Sequence, residues 1–117
     1  MTRILIADPD PNIRQALVLL FERRLDAIRA GEAWDRASLE HQLVALRPDA
    51  LLLDRHLPGL TTADIAALTR RPACPRLALM SVDHDDLTTA LDLHAAFIYK
   101  GAPPEEVLAV VSQLIPA

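Results

Sequence analysis

The sequence predicts an open α/β fold, with five parallel strands covered by helices on both faces. Three observations predict it. Short apolar runs alternate with amphipathic stretches five times along 117 residues, the pattern of strand–helix units joined by crossovers. The apolar runs lack a polar alternation, as strands buried on both faces should. No linker, repeat or low-complexity segment interrupts the series, so residues 1–117 read as one domain. Right-handed crossovers leave few topologies for five such units, and the flavodoxin-like strand order 2-1-3-4-5 is the one expected.

Each element has its own justification. Arg3–Ala7 is an apolar run that stops at Asp8-Pro9, and it forms the first strand. Asp10 is placed to cap the first helix and Pro11 to occupy its first position. Ile13, Leu17, Leu20 and Phe21 then form one stripe, with Arg14, Glu22 and Arg23 directed to water. A second strand is expected over Ala27–Ala30, ending at Gly31, followed by a helix over Ser38–Leu46 that Pro48 terminates. Ala50–Leu53 is the third strand and stops at Asp54; Pro58-Gly59 make Arg55–Thr61 a loop. Thr62–Arg71 is the third helix, closed off by Pro72 and Pro75. Leu77–Met80 is the fourth strand, ending at Ser81, and Asp85–His94 a weaker fourth helix. Ala96–Tyr99 is the fifth strand, ending at Lys100. The last helix covers Pro104–Ile115, because proline fits a first turn and Glu105 and Glu106 favour the positive end of the helix dipole.

Composition excludes several classes. A net charge of −4 provides no electrostatic footprint for nucleic acid on this domain. Every apolar stretch is far shorter than the roughly 20 residues of a membrane span, and Thr2-Arg3-Ile4 begins no secretion signal. The lone Cys74 excludes an internal disulfide and suits a reducing cytoplasm, where the chain is expected to reside. Basic residues are informative in another way: Lys100 is the only lysine among twelve Lys and Arg residues.

In sheets of this kind the functional crevice lies outside the carboxyl ends of the strands. That rule gathers Asp8, Asp54, Ser81 and Lys100 onto one rim. Carboxylates are the preferred ligands of magnesium, which keeps several waters and accepts a phosphate oxygen. A carboxylate such as Asp54 can attack phosphorus to become an aspartyl phosphate. Ser81 could hydrogen-bond a phosphoryl oxygen and Lys100 place a compact positive charge on another. Singly, each residue has a blander reading: a helix cap, a loop serine, a solvated lysine. Four of them at four strand ends of one sheet favour phosphoryl chemistry.

Four segments, in order and at fitting intervals, resemble the receiver domains of two-component response regulators across essentially the whole chain. They are RILIADPDPNIRQAL, PDALLLDRHLPGL, LALMSVDHDD and FIYKGAPPEEVL. The resemblance implies a signalling switch rather than a turnover enzyme, with Asp54 accepting a phosphoryl group from a sensor histidine kinase. It implies Mg2+ held by Asp8, Asp54 and the main-chain carbonyl of His56, with Asp10 as a further candidate ligand. Ser81 and Lys100 would contact the phosphoryl group, and Phe97 matches the aromatic that reorients when Ser81 engages phosphate. The surface expected to change is formed by the fourth helix, fifth strand and fifth helix, through which a homodimer could form. It includes Leu93, His94, Tyr99 and Ala102.

The sequence also departs from the family pattern. Members usually carry two adjacent acids after the first strand, and Pro9 stands at the second position. Val82 replaces a small residue after the hydroxyl, Thr62 stands where a glycine is common, and Leu93-His94 where a Gly-Ala pair is common. These departures keep open an alternative, a receiver fold acting as a phosphate-independent interaction module. Asp8-x-Asp10 is similar also to the nucleophile motif of haloacid-dehalogenase-like phosphatases, but Pro11 and the missing acidic strand end after Lys100 oppose that reading. Two further alternatives stay open: a standalone receiver, or a piece of a longer regulator.

Overall fold

The computed structural model describes residues 1–116. Its elements follow in strict alternation: β1 (Thr2–Ala7), α1 (Pro11–Arg24), β2 (Ile28–Ala33), α2 (Arg36–Ala45), β3 (Ala50–Asp54), α3 (Thr62–Thr69), β4 (Arg76–Ser81), α4 (Asp86–Asp92), β5 (Ala96–Tyr99) and α5 (Pro104–Leu114). All strands pair in parallel, and the sheet order is β2-β1-β3-β4-β5, as the sequence predicts.

The two-residue period of a strand divides the core into two layers. Leu5, Leu51, Leu53 and Leu79 point to the layer that also takes Leu39 of α2 and Ile65 of α3. Ile4, Ile6, Leu52 and Met80 point to the opposite layer, which Phe21 of α1 and Val111 of α5 complete. Ile4–Ala7 and Leu51–Leu53 are wholly inaccessible to solvent, which is why β1 and β3 read as unbroken apolar runs. These two central strands carry Asp8 and Asp54 at their ends, so the least deformable part of the sheet positions the two carboxylates.

Several boundaries differ from the sequence expectation. Gly31 does not end the second strand: it lies within β2, opposite Leu5. A Cβ at Gly31 would come 2.7 Å from Leu46 Cδ2, so the glycine serves the close approach of α2 to the strand rather than a turn. Helix α2 begins two residues early because Asp35 and Ser38 form a reciprocal capping box. Helix α3 stops at Thr69; the amides of Arg70 and Arg71 turn to the i−3 carbonyls of Ala67 and Leu68, each at 3.2 Å. Helix α4 is shorter at both ends. His94, expected within it, adopts φ 54°, and its amide and that of Ala95 close the helix on Leu91 and Ala90. The left-handed residue is thus His94, while Leu93 keeps an ordinary φ of −87°. Arg14, expected to face water, instead folds its side chain down to 13% exposure.

Candidate functional site

Continuation of the parallel ladder past the strand ends sets the rim. The Asp8 amide donates to Ala33 O at 2.9 Å, Arg55 N to Met80 O at 2.8 Å, and Lys100 N to Ser81 O at 2.8 Å. Each candidate residue, or its immediate neighbour, is therefore held by the adjacent strand before its side chain makes any contact. Asp8 is fully buried, Asp54 is 6% exposed and Ser81 1% exposed; they are the buried polar residues of the described chain.

Lys100 joins the two carboxylates. Its Nζ lies 2.6 Å from Asp8 Oδ2 and 2.7 Å from Asp54 Oδ1. Burial works against the charged form of this lysine, yet the hydrogen bonds and attraction of Asp54 and Asp8 prevail and raise its pKa above the usual lysine value. It is a permanent cation at neutral pH. Arginine would not fit this role as well, since a single compact ammonium can approach two separate oxygens where a planar fork cannot.

The other Asp8 oxygen is also occupied: Oδ1 accepts from the Asp10 amide at 2.8 Å. Asp10 itself caps α1, its Oδ1 accepting from Asn12 N at 2.9 Å. The exposed carboxylate of Asp10 thus performs the capping task expected of it. No group of three or more His, Cys, Asp or Glu side chains close enough to hold a metal forms among the described residues. Asp8 and Asp54 remain as a pair, which fits the sparse donor set of magnesium, one or two carboxylates completed by water and phosphate oxygens. His56 is exposed on the loop after β3.

Ser81 is engaged by the turn that follows β4. Its hydroxyl donates to Asp86 Oδ2 at 2.6 Å and accepts from the Asp83 amide at 3.0 Å. Arg55 reaches the same carboxylate, with Nε 3.6 Å from Asp86 Oδ1. Phe97 is partly buried and packs on the core layer under α2, α3 and α4. Tyr99 stacks on His84, with ring centroids 3.7 Å apart. A Cβ at Gly101 would collide with the Tyr99 ring, so glycine after the lysine makes room for that stack.

Three site residues escaped the sequence reading. Arg14 Nη1 donates to the Asp8 carbonyl at 2.7 Å, Nε pairs with Glu32 at 3.1 Å, and the guanidinium lies 5.6 Å from the Trp34 ring. It braces the backbone that carries Asp8. Asp86 and Arg55 are the other two. Their only sequence signals were proximity, Arg55 directly after Asp54 and Asp86 five residues after Ser81 in an acidic run. Cys74 is half-buried on a distant loop, where burial pushes its thiol pKa up, and it takes no part.

No family model matches the chain. Relatives do. The chain is 30% identical over 113 residues to the probable transcriptional regulatory protein NarL of Mycobacterium tuberculosis, covering 93% of this chain and 52% of that protein. It is 28% identical over 118 residues to the DNA-binding response regulator MtrA of Mycolicibacterium smegmatis, covering 93% and 48%. The chain thus spans about half the length of these relatives. Among solved structures, the signal receiver domain of a DNA-binding response regulator from Colwellia psychrerythraea matches with a TM-score of 0.85 at 18% identity, over 97% of this chain and 98% of that one. Described helices include none long and apolar enough to cross a membrane. Fold and strand order are those of receiver domains of response regulators, and the sequence is similar to response regulators over about half their length.

Proposed function

We propose that this domain accepts a phosphoryl group on Asp54 from a sensor histidine kinase and passes the event on as a change of surface. The observation that carries the reading is the Lys100 ammonium within 2.7 Å of both Asp8 and Asp54. It sets a fixed cation beside a nearly buried carboxylate at a strand end. An Asp54 oxygen forms the new bond to phosphorus while the bond from phosphorus to the donor nitrogen breaks, and the leaving imidazole keeps that electron pair. Lys100 offsets the charge that accumulates on the phosphoryl oxygens. Arg14, by holding the Asp8 carbonyl, keeps the neighbouring carboxylate in register. Magnesium, when bound, would supply further neutralisation of those oxygens, with Asp8, Asp54 and the His56 carbonyl as its ligands. Asp10, committed to its helix, is not counted among them.

The surface that responds is the one formed by α4, β5 and α5. Leu87 and Leu91, one turn apart on α4, are 46% and 64% exposed, an apolar pair suited to a partner or to a second copy.

The alternative, a phosphate-independent interaction module, draws support from Pro9 and from the capping role of Asp10, which together leave only two carboxylates for a metal. One experiment separates the two. Incubation with a small phosphodonor and magnesium, read by intact mass, should give a single phosphate adduct that Asp54→Asn abolishes. Absence of any adduct on the parent protein would establish the alternative.

A further inference from the structure

The Ser81 hydroxyl is expected to donate to a phosphoryl oxygen, but it has one proton to give. That proton is already engaged by Asp86 Oδ2 at 2.6 Å, in a bond strengthened by the charge of the carboxylate. Ser81 is 1% exposed, so bulk water offers no substitute partner. We propose that Asp86, braced by Arg55, is a positioning residue that holds the Ser81 proton, so that a phosphoryl group on Asp54 must take Ser81 from Asp86. The inference rests on Asp54 being the phosphoacceptor.

Two features of the geometry shape the competition. Arg55 directly follows Asp54, and its amide is bound to the carbonyl of Met80, the residue before Ser81. Its guanidinium stands beside Asp86 at a loose 3.6 Å, and its buried Nε makes no hydrogen bond among the described residues. A phosphoryl dianion on the adjacent residue would therefore attract both the Ser81 proton and the Arg55 cation. It would also repel the Asp86 carboxylate. All three effects act in one direction, and they separate Asp86 from its two partners together.

The consequence lies in α4. Asp86 is its first residue, and Asp85 before it makes no side-chain capping bond. The start of α4 is tied down by the Ser81–Asp86 bond, the Asp83 amide on Ser81 Oγ, the Asp83 carboxylate on the Asp85 amide at 2.9 Å and the loose Arg55–Asp86 contact. Release of Asp86 loosens the first turn of the helix that carries Leu87 and Leu91. Val82 is 72% exposed between Ser81 and Asp83, so the ring stack of His84 on Tyr99 is the packing that this turn keeps.

The test uses the protein with and without phosphate. Asp86→Ala should accelerate adduct formation on Asp54 from a small phosphodonor by roughly tenfold or more, the lower end of the effect of losing one hydrogen bond to a charged group. Asp86→Asn keeps an acceptor oxygen without the charge and should fall between that variant and the parent. In protein that has seen no phosphodonor, the Asp83 amide, which donates to Ser81 Oγ at 3.0 Å, should exchange with deuterium faster in Asp86→Ala, because Ser81 is no longer held. Adding Ser81→Ala to Asp86→Ala should remove the gain in rate. Asp92→Ala, which deletes an exposed charge at the far end of α4, should change neither readout. An Asp83 amide that exchanges at the parent rate in Asp86→Ala overturns the proposal, as does an adduct rate no higher than the parent's. A parent protein that takes no adduct refutes the phosphoacceptor reading instead, and the Asp83 amide alone then decides whether Asp86 holds Ser81.

Discussion

Helices α2 and α3 begin very differently from α4. Asp35 and Ser38 bond reciprocally at the start of α2, and Thr61 and Asp64 do so at the start of α3. The hydrogen bonds from Ser38 and Thr61, backbone before side chain, hold the carboxyls of Asp35 and Asp64 below the usual range. Cross-links add to this: Arg36 reaches Asp64 and the Gly59 carbonyl, and Arg71 grips Glu40 with two bonds of 2.9 and 2.7 Å. At α4 the N-cap side chain makes no bond, and the first helical residue is tied to Ser81 in the crevice instead. All three helices cover the same face of the sheet, yet α2 and α3 have starts secured locally. Helix α4 has a start secured through the functional site, where a small change of charge can move it.

Lys100 ties the strand ends beneath these helices together, since its ammonium links β5 to the ends of β1 and β3. Lys100→Met keeps the apolar stem and removes the charge. It should cost about 2–3 kcal/mol, below the full penalty for breaking a buried pair because Lys100 keeps 13% of its side chain exposed to solvent. Urea denaturation at neutral pH measures it. The loss should be global, appearing equally in α2 and α4. A loss confined to α4, or one under about 1 kcal/mol, would mean that water already solvates the carboxylates and that Lys100 does not connect the two helix starts.

The architecture was legible because β1, β3 and β4 are buried on both faces and so read as plain apolar runs between Pro, Gly and Asp. The strand-end rule then placed Asp8, Asp54, Ser81 and Lys100 together without any side-chain geometry. What sequence could not supply were contacts that depend on where a side chain turns. Arg14 looks like a solvent-facing helix residue by periodicity, yet the carbonyl of Asp8 draws it inward. Asp86 looks like one more acid in Asp83-His84-Asp85-Asp86, and only the path of the β4–α4 turn sets it against Ser81. Gly31 reads as a stop because glycine usually punctuates, whereas here it clears space for Leu46. The short α4 was overdrawn at its C-terminal end because His94 carries no mark of its left-handed backbone.

Removing a cap should make α3 behave as α4 does. Thr61→Ala deletes the oxygen that accepts from the Asp64 amide at 3.1 Å, at a cost of about 1 kcal/mol. Amide exchange in the first turn of α3 should rise toward the rates of the first turn of α4, while α4 itself stays unchanged. Equal rates in the two helices of the parent protein would erase the contrast, since they would show that the capping boxes add nothing to local stability.

The smallest effect belongs to the pair bridging α2 to the end of α3. The Arg71 hydrogen bond, against an opposing desolvation, holds the Glu40 pKa below its usual value. A carboxyl with a depressed folded pKa contributes stability above its unfolded value and loses it as the pH falls through the folded one. Arg71 and Glu40 are 47% and 40% exposed, so screening limits the contribution to a few tenths of a kcal/mol despite the two-bond geometry. Glu40→Gln should therefore lose that amount at neutral pH, and the difference from the parent should vanish in acid below the carboxylate range. Added salt should shrink it, because both groups are in contact with solvent. The Arg55–Asp86 contact, at 3.6 Å with both side chains under 20% exposed, should respond less to salt than this surface pair. If salt weakened both equally, Asp86 would be solvated like an ordinary surface acid, and its hold on Ser81 would have to come from the 2.6 Å hydrogen bond alone.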